Sequence, residues 1–255
     1  MILHDAIANA NRAGRRGLIL YAIPGYPDVD TYESVVDLME ENDEISILET
    51  TIPVTSGFSA HANDVIREAH RIASRNLMRA APRQRPFAKP RLAVLYRATV
   101  EAHGVAAALA LLRGNAEGLL LEWDEHENTD SYREAAAHAG IELVECVGPW
   151  MTEGEIGKLL KPTSSNPLVY LMSAAGTGAA LYSTKVIADC IGNIRRHRPA
   201  AKIAAGFGIS GPEQIRVLRR VEGLDAVIIG TAWLRAMASG TEKTRAYLAQ
   251  ITEAL

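Results

Sequence analysis

A chain of 255 residues, 48% hydrophobic and 22% charged, can bury a sizeable core, and its length suits either two small domains or one α/β barrel. A net charge of −3 supplies no basic field for nucleic acid or anionic lipid, which leaves a small neutral or anionic ligand as the expected partner. No run of about 18 apolar residues could span a bilayer, and the opening MILHDAIANANRAGRR lacks a signal-peptide core, so a cytoplasmic protein is expected.

Short runs rich in Val, Ile and Leu alternate with longer amphipathic stretches, the pattern of βα units closing a parallel sheet. A helix over Asp5–Ala13 precedes the first strand, Leu18–Ile23, and is placed to plug the barrel bottom. A helix over Tyr32–Glu41 leads to a strand over Ile45–Glu49. Arg79–Arg91 carries Pro82, Pro86 and Pro90 and cannot continue a helix. It reads as a loop, either a solvated connection or a basic partner-docking segment.

Strands follow over Leu92–Tyr96, Gly118–Glu122, Ile141–Cys146, Leu168–Met172, Lys202–Ala205 and Ala226–Ile229. Helices are expected over Val100–Arg113, Ser131–His138, Lys185–Arg196, Gly211–Arg220 and Thr241–Leu255. Eight strands, each followed by a helix, predict one domain over residues 1–255: a single (β/α)8 TIM barrel with an N-terminal helix closing the bottom.

Cys146 and Cys190 are too few for a disulfide framework and read as buried small hydrophobes. The seven histidines form no HxxxH or HExxH pair, so no metal is expected, and no cofactor.

In such barrels the loops after the strands build the site. Three consecutive ones are glycine-rich: Ser173 to Gly178, Gly206 to Ser210, and Gly230 to Trp233. Glycine permits close backbone approach, and a short helix starting near Thr231 would offer free N–H groups to an anion. Together they predict a phosphate cradle, with ordinary turn chemistry as the alternative.

Glu49 ends the apolar run Ile45 to Leu48, an expensive place for charge unless it faces the barrel mouth or finds a partner. It reads either as a desolvated general acid and base or as a strand-end carboxylate paired with a cation. Glu122 to Glu127 reads as an acidic metal-binding lip or as a solvated helix entry. Tyr96 faces the ligand or packs in the core.

These pieces together resemble the tryptophan synthase α-subunit family over nearly the whole chain. The family's Pro-(Tyr/Phe)-(Ile/Val)-Thr-Ala-Gly-Asp-Pro-Asp corresponds to Leu20 through Asp28. Its Glu-Leu-Gly-(Ile/Val)-Pro corresponds to Glu49 through Pro53, and its Gly-Phe-Gly-Ile-Ser-x-Pro-Glu-Gln to Gly206 through Gln214. By resemblance Glu49 is the proton carrier of a retro-aldol cleavage of indole-3-glycerol phosphate, or a close relative, to indole and glyceraldehyde 3-phosphate. Gly178, Gly206, Gly208, Gly230 and Thr231 hold the phosphate, Tyr96 lines the indole pocket, and Tyr21, Thr177 and Phe207 complete the walls.

The departures are equally specific. Aligned without gaps, the family's second catalytic aspartate falls on Ala60, with His61 and Asp64 close enough to be candidate substitutes. The arginine of the loop after the sixth strand is Ala174, the aspartate after the fourth aligns with Trp123, and the first-loop aspartate is Tyr26. Several changed segments form the family's contact surface for the β subunit, which counts against a tryptophan synthase β-like partner here. Besides the lyase, two readings stand. One is a diverged paralogue in specialised metabolism, acting as isomerase, cyclase or transferase on another phosphorylated or diphosphorylated substrate. The other is a non-catalytic, phosphate-ester-binding regulatory subunit.

Overall fold

Eight parallel strands close on themselves in sequence order, β1 hydrogen-bonding to both β2 and β8. The computed structural model describes residues 2–82, 86–122, 130–160 and 167–255. The strands are β1 (Gly17–Tyr21), β2 (Ile45–Thr51), β3 (Arg91–Tyr96), β4 (Gly118–Glu122), β5 (Glu142–Val147), β6 (Leu168–Met172), β7 (Lys202–Gly206) and β8 (Ala226–Ile229). The chain is thus the expected TIM barrel.

Around the barrel run α1 (Ile2–Arg12), α2 (Val29–Glu41), α3 (Asp64–Leu77), α4 (Arg97–His103), α5 (Val105–Leu112) and α6 (Asp130–Ala139). They are followed by α7 (Glu153–Leu159), α8 (Thr184–His197), α9 (Pro212–Arg219), α10 (Thr231–Ala238) and α11 (Thr241–Glu253). Among the described residues no helix is long and apolar enough to cross a membrane.

Helix α1 plugs the bottom as anticipated, burying Leu3, Ile7 and Ala10. It fits because two strands begin on glycine: a methyl group on Gly17 would run into Ile7, and one on Gly118 into Leu3. The fit is fixed by polar bonds. The Asn11 amide donates to the Asp225 carbonyl at 2.9 Å, and Lys202 Nζ reaches both Asn11 Oδ1 and the Asp225 carboxylate at 2.8 Å.

Several boundaries depart from the sequence reading. The single helix expected over Val100–Arg113 is two, broken at Gly104, whose φ of 76° lies outside the helical region. Strand β1 stops at Tyr21 and not Ile23, β2 runs on to Thr51, and β5 sits one residue later than expected. Two helices went unbounded despite legible signals. Asn63 caps α3 by accepting from Ile66 N, ahead of apolar positions Ile66, Ala69 and Ala73; Thr152 and Glu155 form a capping box on α7. Cys190 is buried as expected, but Cys146 is only half-buried.

The described part of Arg79–Arg91 is irregular up to the start of β3. It is tied down by Glu40, which accepts from the N–H of Ala88 and Lys89. Residues 83–85 of that segment, and 123–127 of the acidic lip, lie outside the described residues.

Candidate functional site

Side chains two apart on a strand share a face, so each inward-facing strand sends a pair toward the mouth. Val94 and Tyr96, Leu120 and Glu122, and Ile228 and Gly230 all line one cavity of about 310 Å³ at the carboxyl ends of the strands. That volume suits a small ligand. The upper layer of the barrel interior is polar: Tyr21, Glu49, Tyr96, Glu122 and Tyr170. Beneath it the core is apolar.

Glu49, at 5% exposure, faces this cavity, and among the described residues nothing donates a hydrogen bond to its carboxylate. Burial without a compensating partner pushes its pKa up to about 8, so it carries a proton at neutral pH. Glu122 is also raised by burial, but less freely, because Ser59 opposes the shift. Ser59 donates to it twice, Oγ at 2.7 Å and N at 3.1 Å. Arg67 braces that turn from behind, donating to the carbonyls of Ser59 and Ala62. The two acids therefore differ: Glu49 is unpartnered and raised by burial alone, whereas Glu122 is fixed in direction by the loop after β2.

A chain of hydroxyls lies on the adjoining wall. Val54 N–H donates to His70 Nδ1 at 3.1 Å, His70 Nε2 lies 2.9 Å from the Tyr21 hydroxyl, and Tyr21 lies 3.2 Å from the Tyr96 hydroxyl. His70 on α3 is fully buried, and burial lowers its pKa to about 3. It stays neutral.

The opposite corner holds the glycine-rich turns. Gly178 and Gly208 adopt φ of 81° and 72°, and a side chain on Gly208 would press on Ala174 and the Ala179 carbonyl. Gly230 precedes α10, so the first N–H groups of that helix open on the cavity beside Thr231 and Ala232. Arg235, one turn on, also lines the cavity, with no carboxylate in ion-pair range among the described residues. An unpaired cation above free N–H groups is what a phosphate needs. We expect Gly208→Leu and Arg235→Ala each to weaken inorganic phosphate binding at least about 5-fold while thermal unfolding stays cooperative. Unchanged affinity by calorimetry would remove the cradle.

Of the residues singled out from sequence, Glu49, His61, Tyr96, Gly178, Gly208, Gly230, Thr231, Tyr21, Thr177 and Phe207 all line this cavity. Gly206 does not. A side chain there would overlap the Tyr170 hydroxyl, so its glycine serves packing beneath the floor. Asp64 is exposed at the start of α3 and stays outside the cavity. His61 bonds through Nδ1 to the Ala175 carbonyl at 3.1 Å and stacks between Trp150 and Phe207. Phe207 holds a φ of 71°, unfavourable for a bulky residue, and its ring also packs on Tyr170.

The loop after β2 is fastened to the loop after β6. Thr177 Oγ1 donates to the His61 carbonyl and accepts from Asn63 N, both at 2.8 Å, and the Asn63 amide donates to the Thr177 carbonyl. Sequence reasoning missed Arg235 and, behind the wall, His70, and it singled out Glu122 only as the start of an acidic lip. Glu122 was visible as a charge closing an apolar run, and Arg235 as a cation one turn beyond Thr231; nothing local marked His70.

A closed parallel barrel with a mostly apolar cavity, carrying Glu49 and Glu122, at the carboxyl ends of its strands defines a TIM-barrel protein. A family profile described as tryptophan synthase alpha chain matches residues 7–254, and the chain belongs to that family. Among curated relatives, the tryptophan synthase alpha chain of Desulfovibrio desulfuricans is 28% identical over 252 residues, covering 94% of this chain and 95% of that one. That of Dehalococcoides mccartyi is 26% identical over 253 residues, covering 94% and 96%. Among solved structures, a protein from Aquifex aeolicus superposes with a TM-score of 0.82 at 19% identity, covering 99% of this chain and 98% of its own. The tryptophan synthase subunit alpha from Campylobacter jejuni gives 0.75 at 21%, covering 94% and 96%. At such identities these structures speak for the fold alone.

Proposed function

We propose that the protein is a carbon–carbon lyase cleaving indole-3-glycerol phosphate, or a close relative, to the indole and glyceraldehyde 3-phosphate. The observation that carries this reading is a buried, unpartnered Glu49, its pKa raised to about 8, in the same cavity as the glycine-rich turns and Arg235. Anchoring the phosphate fixes one end of the substrate, so the reacting carbon comes within reach of a group on β2. Glu49 begins as the acid and delivers its proton to the ring carbon bearing the side chain. Its carboxylate then takes the proton from the side-chain hydroxyl as the carbon–carbon bond breaks. One proton is given and one recovered, so the residue ends as it began.

Protonating the ring carbon leaves positive charge on the ring nitrogen. A carboxylate accepting the ring N–H stabilises that charge, and Glu122, held by Ser59, is the group on this wall suited to it. In this reading Glu122, not His61 or Asp64, fills the second carboxylate's place. In this reading the substrate is a phosphorylated small molecule, and the steps above are carried by Glu49 and Glu122 of this chain.

Purified protein given indole-3-glycerol phosphate should release indole, and Glu122→Ala should slow release by about 10²- to 10⁴-fold, the usual worth of one positioned charge or proton-transfer group. No indole above the uncatalysed background would overturn the lyase reading for this substrate. It would then favour an isomerase, cyclase or transferase built on the same cradle.

A further inference from the structure

A backbone N–H can only donate. Because Val54 N–H is bonded to His70 Nδ1, that nitrogen carries the lone pair, and the proton of the neutral ring is on Nε2. Nε2–H donates to the Tyr21 oxygen at 2.9 Å. The Tyr21 oxygen can accept a second bond, so either phenol can donate across the 3.2 Å to Tyr96; the bond raises the pKa of Tyr21 and lowers that of Tyr96, which marks Tyr21 as the donor. The Tyr96 O–H is left over. It is the end of the chain, its side chain lines the cavity at 3% exposure, and among the described residues it has no acceptor.

A buried donor without an acceptor is costly, and a ligand that supplies one gains what one without it forfeits. Indole itself offers Tyr96 only the face of its ring. We infer that Tyr96 is a fixed hydrogen-bond donor that selects an aromatic ring bearing an oxygen or ring-nitrogen acceptor, and that His70 is the positioning residue setting its direction. The inference rests on the reading of this cavity as a site for an indole-type ring, and it narrows that ring to a substituted or aza-substituted one. Ring packing supports the assignment. His70 meets Tyr96 edge-on at 4.5 Å between centroids, and Phe58 packs edge-on against both, so neither ring is free to turn.

The test uses azaindoles, which match indole in shape and differ by one acceptor nitrogen. Calorimetry against the full positional set and indole should find at least one azaindole bound about 10-fold more tightly than indole. Tyr96→Phe should abolish that preference, bringing the favoured azaindole to within about 2-fold of indole measured on the same variant. His70→Leu should abolish it too, and His70→Gln, which keeps a donor and an acceptor, should restore part of it. NMR of the unmodified protein with isotope-labelled histidine should show the His70 proton on Nε2, a readout that needs no variant to fold. A set in which none exceeds indole, a preference surviving Tyr96→Phe, or a His70 proton on Nδ1 would each overturn the inference. If indole-3-glycerol phosphate is not cleaved but the azaindole preference is present and lost in Tyr96→Phe, the lyase reading fails and this inference stands.

Discussion

Glu49→Gln is expected to lower indole release by at least about 10²-fold while ligand affinity changes little. The substitution preserves the shape of the side chain and removes only the exchangeable proton. No other group among the described residues is placed to take over. Glu122 is committed to Ser59, and His61 is held between two aromatic rings with Nδ1 on the Ala175 carbonyl. Steady-state assays should show the loss in kcat, with KM within a few-fold, because the glycine-rich corner and the Tyr21–Tyr96 wall are untouched. A variant retaining near-normal turnover would take Glu49 out of the mechanism.

The same substitution should stabilise the protein at alkaline pH. Glu49 has a folded-state pKa of about 8 against an ordinary 4.5, so between those values the folded chain holds a proton that the unfolded chain releases. Where the folded state binds more protons, stability falls as pH rises. The wild type should therefore lose stability through that window and level off above about 8, whereas Glu49→Gln has no proton there to lose. The gap between them should open to a few kcal/mol at most, on the order of 1.4 kcal/mol per unit of pKa shift. All other titrating groups are common to the pair, so urea unfolding at a series of pH values isolates the effect. A gap independent of pH would mean that Glu49 is not desolvated. Loss of turnover together with gain of stability is the signature of a residue kept for chemistry.

How much of this was legible depends on whether a residue's reason lies near it in the chain. Glu49 was readable because a charge closing an apolar run is a local contradiction, and the Gly178, Gly208 and Gly230 turns because glycine after a strand is a local signal. Gly206 carried the same signal for another reason, the bulk of Tyr170 on the neighbouring strand, which only the barrel register reveals. His70 looked like any polar residue on a helix. Its role comes from Tyr21, 49 positions earlier, and no periodicity connects the two. The expected single helix over Val100–Arg113 failed for a simpler reason: Gly104 between two helix-forming runs takes a backbone conformation that ends the first.

The plug beneath the barrel also sets an order of events. The seat of α1 is gathered from distant parts of the chain: Ile7 and Leu3 rest on the starts of β1 and β4, while Asn11 bonds across 214 positions to Asp225, beside β8. Leu3 and Ile7 can pack once the starts of β4 and β1 are in place, but the polar bonds that fix the helix wait for Lys202 and Asp225. Closing so long a loop is slow, so the bonds that fix the plug form late in folding. The two glycines that admit Ile7 and Leu3 keep the seat vacant until the helix docks.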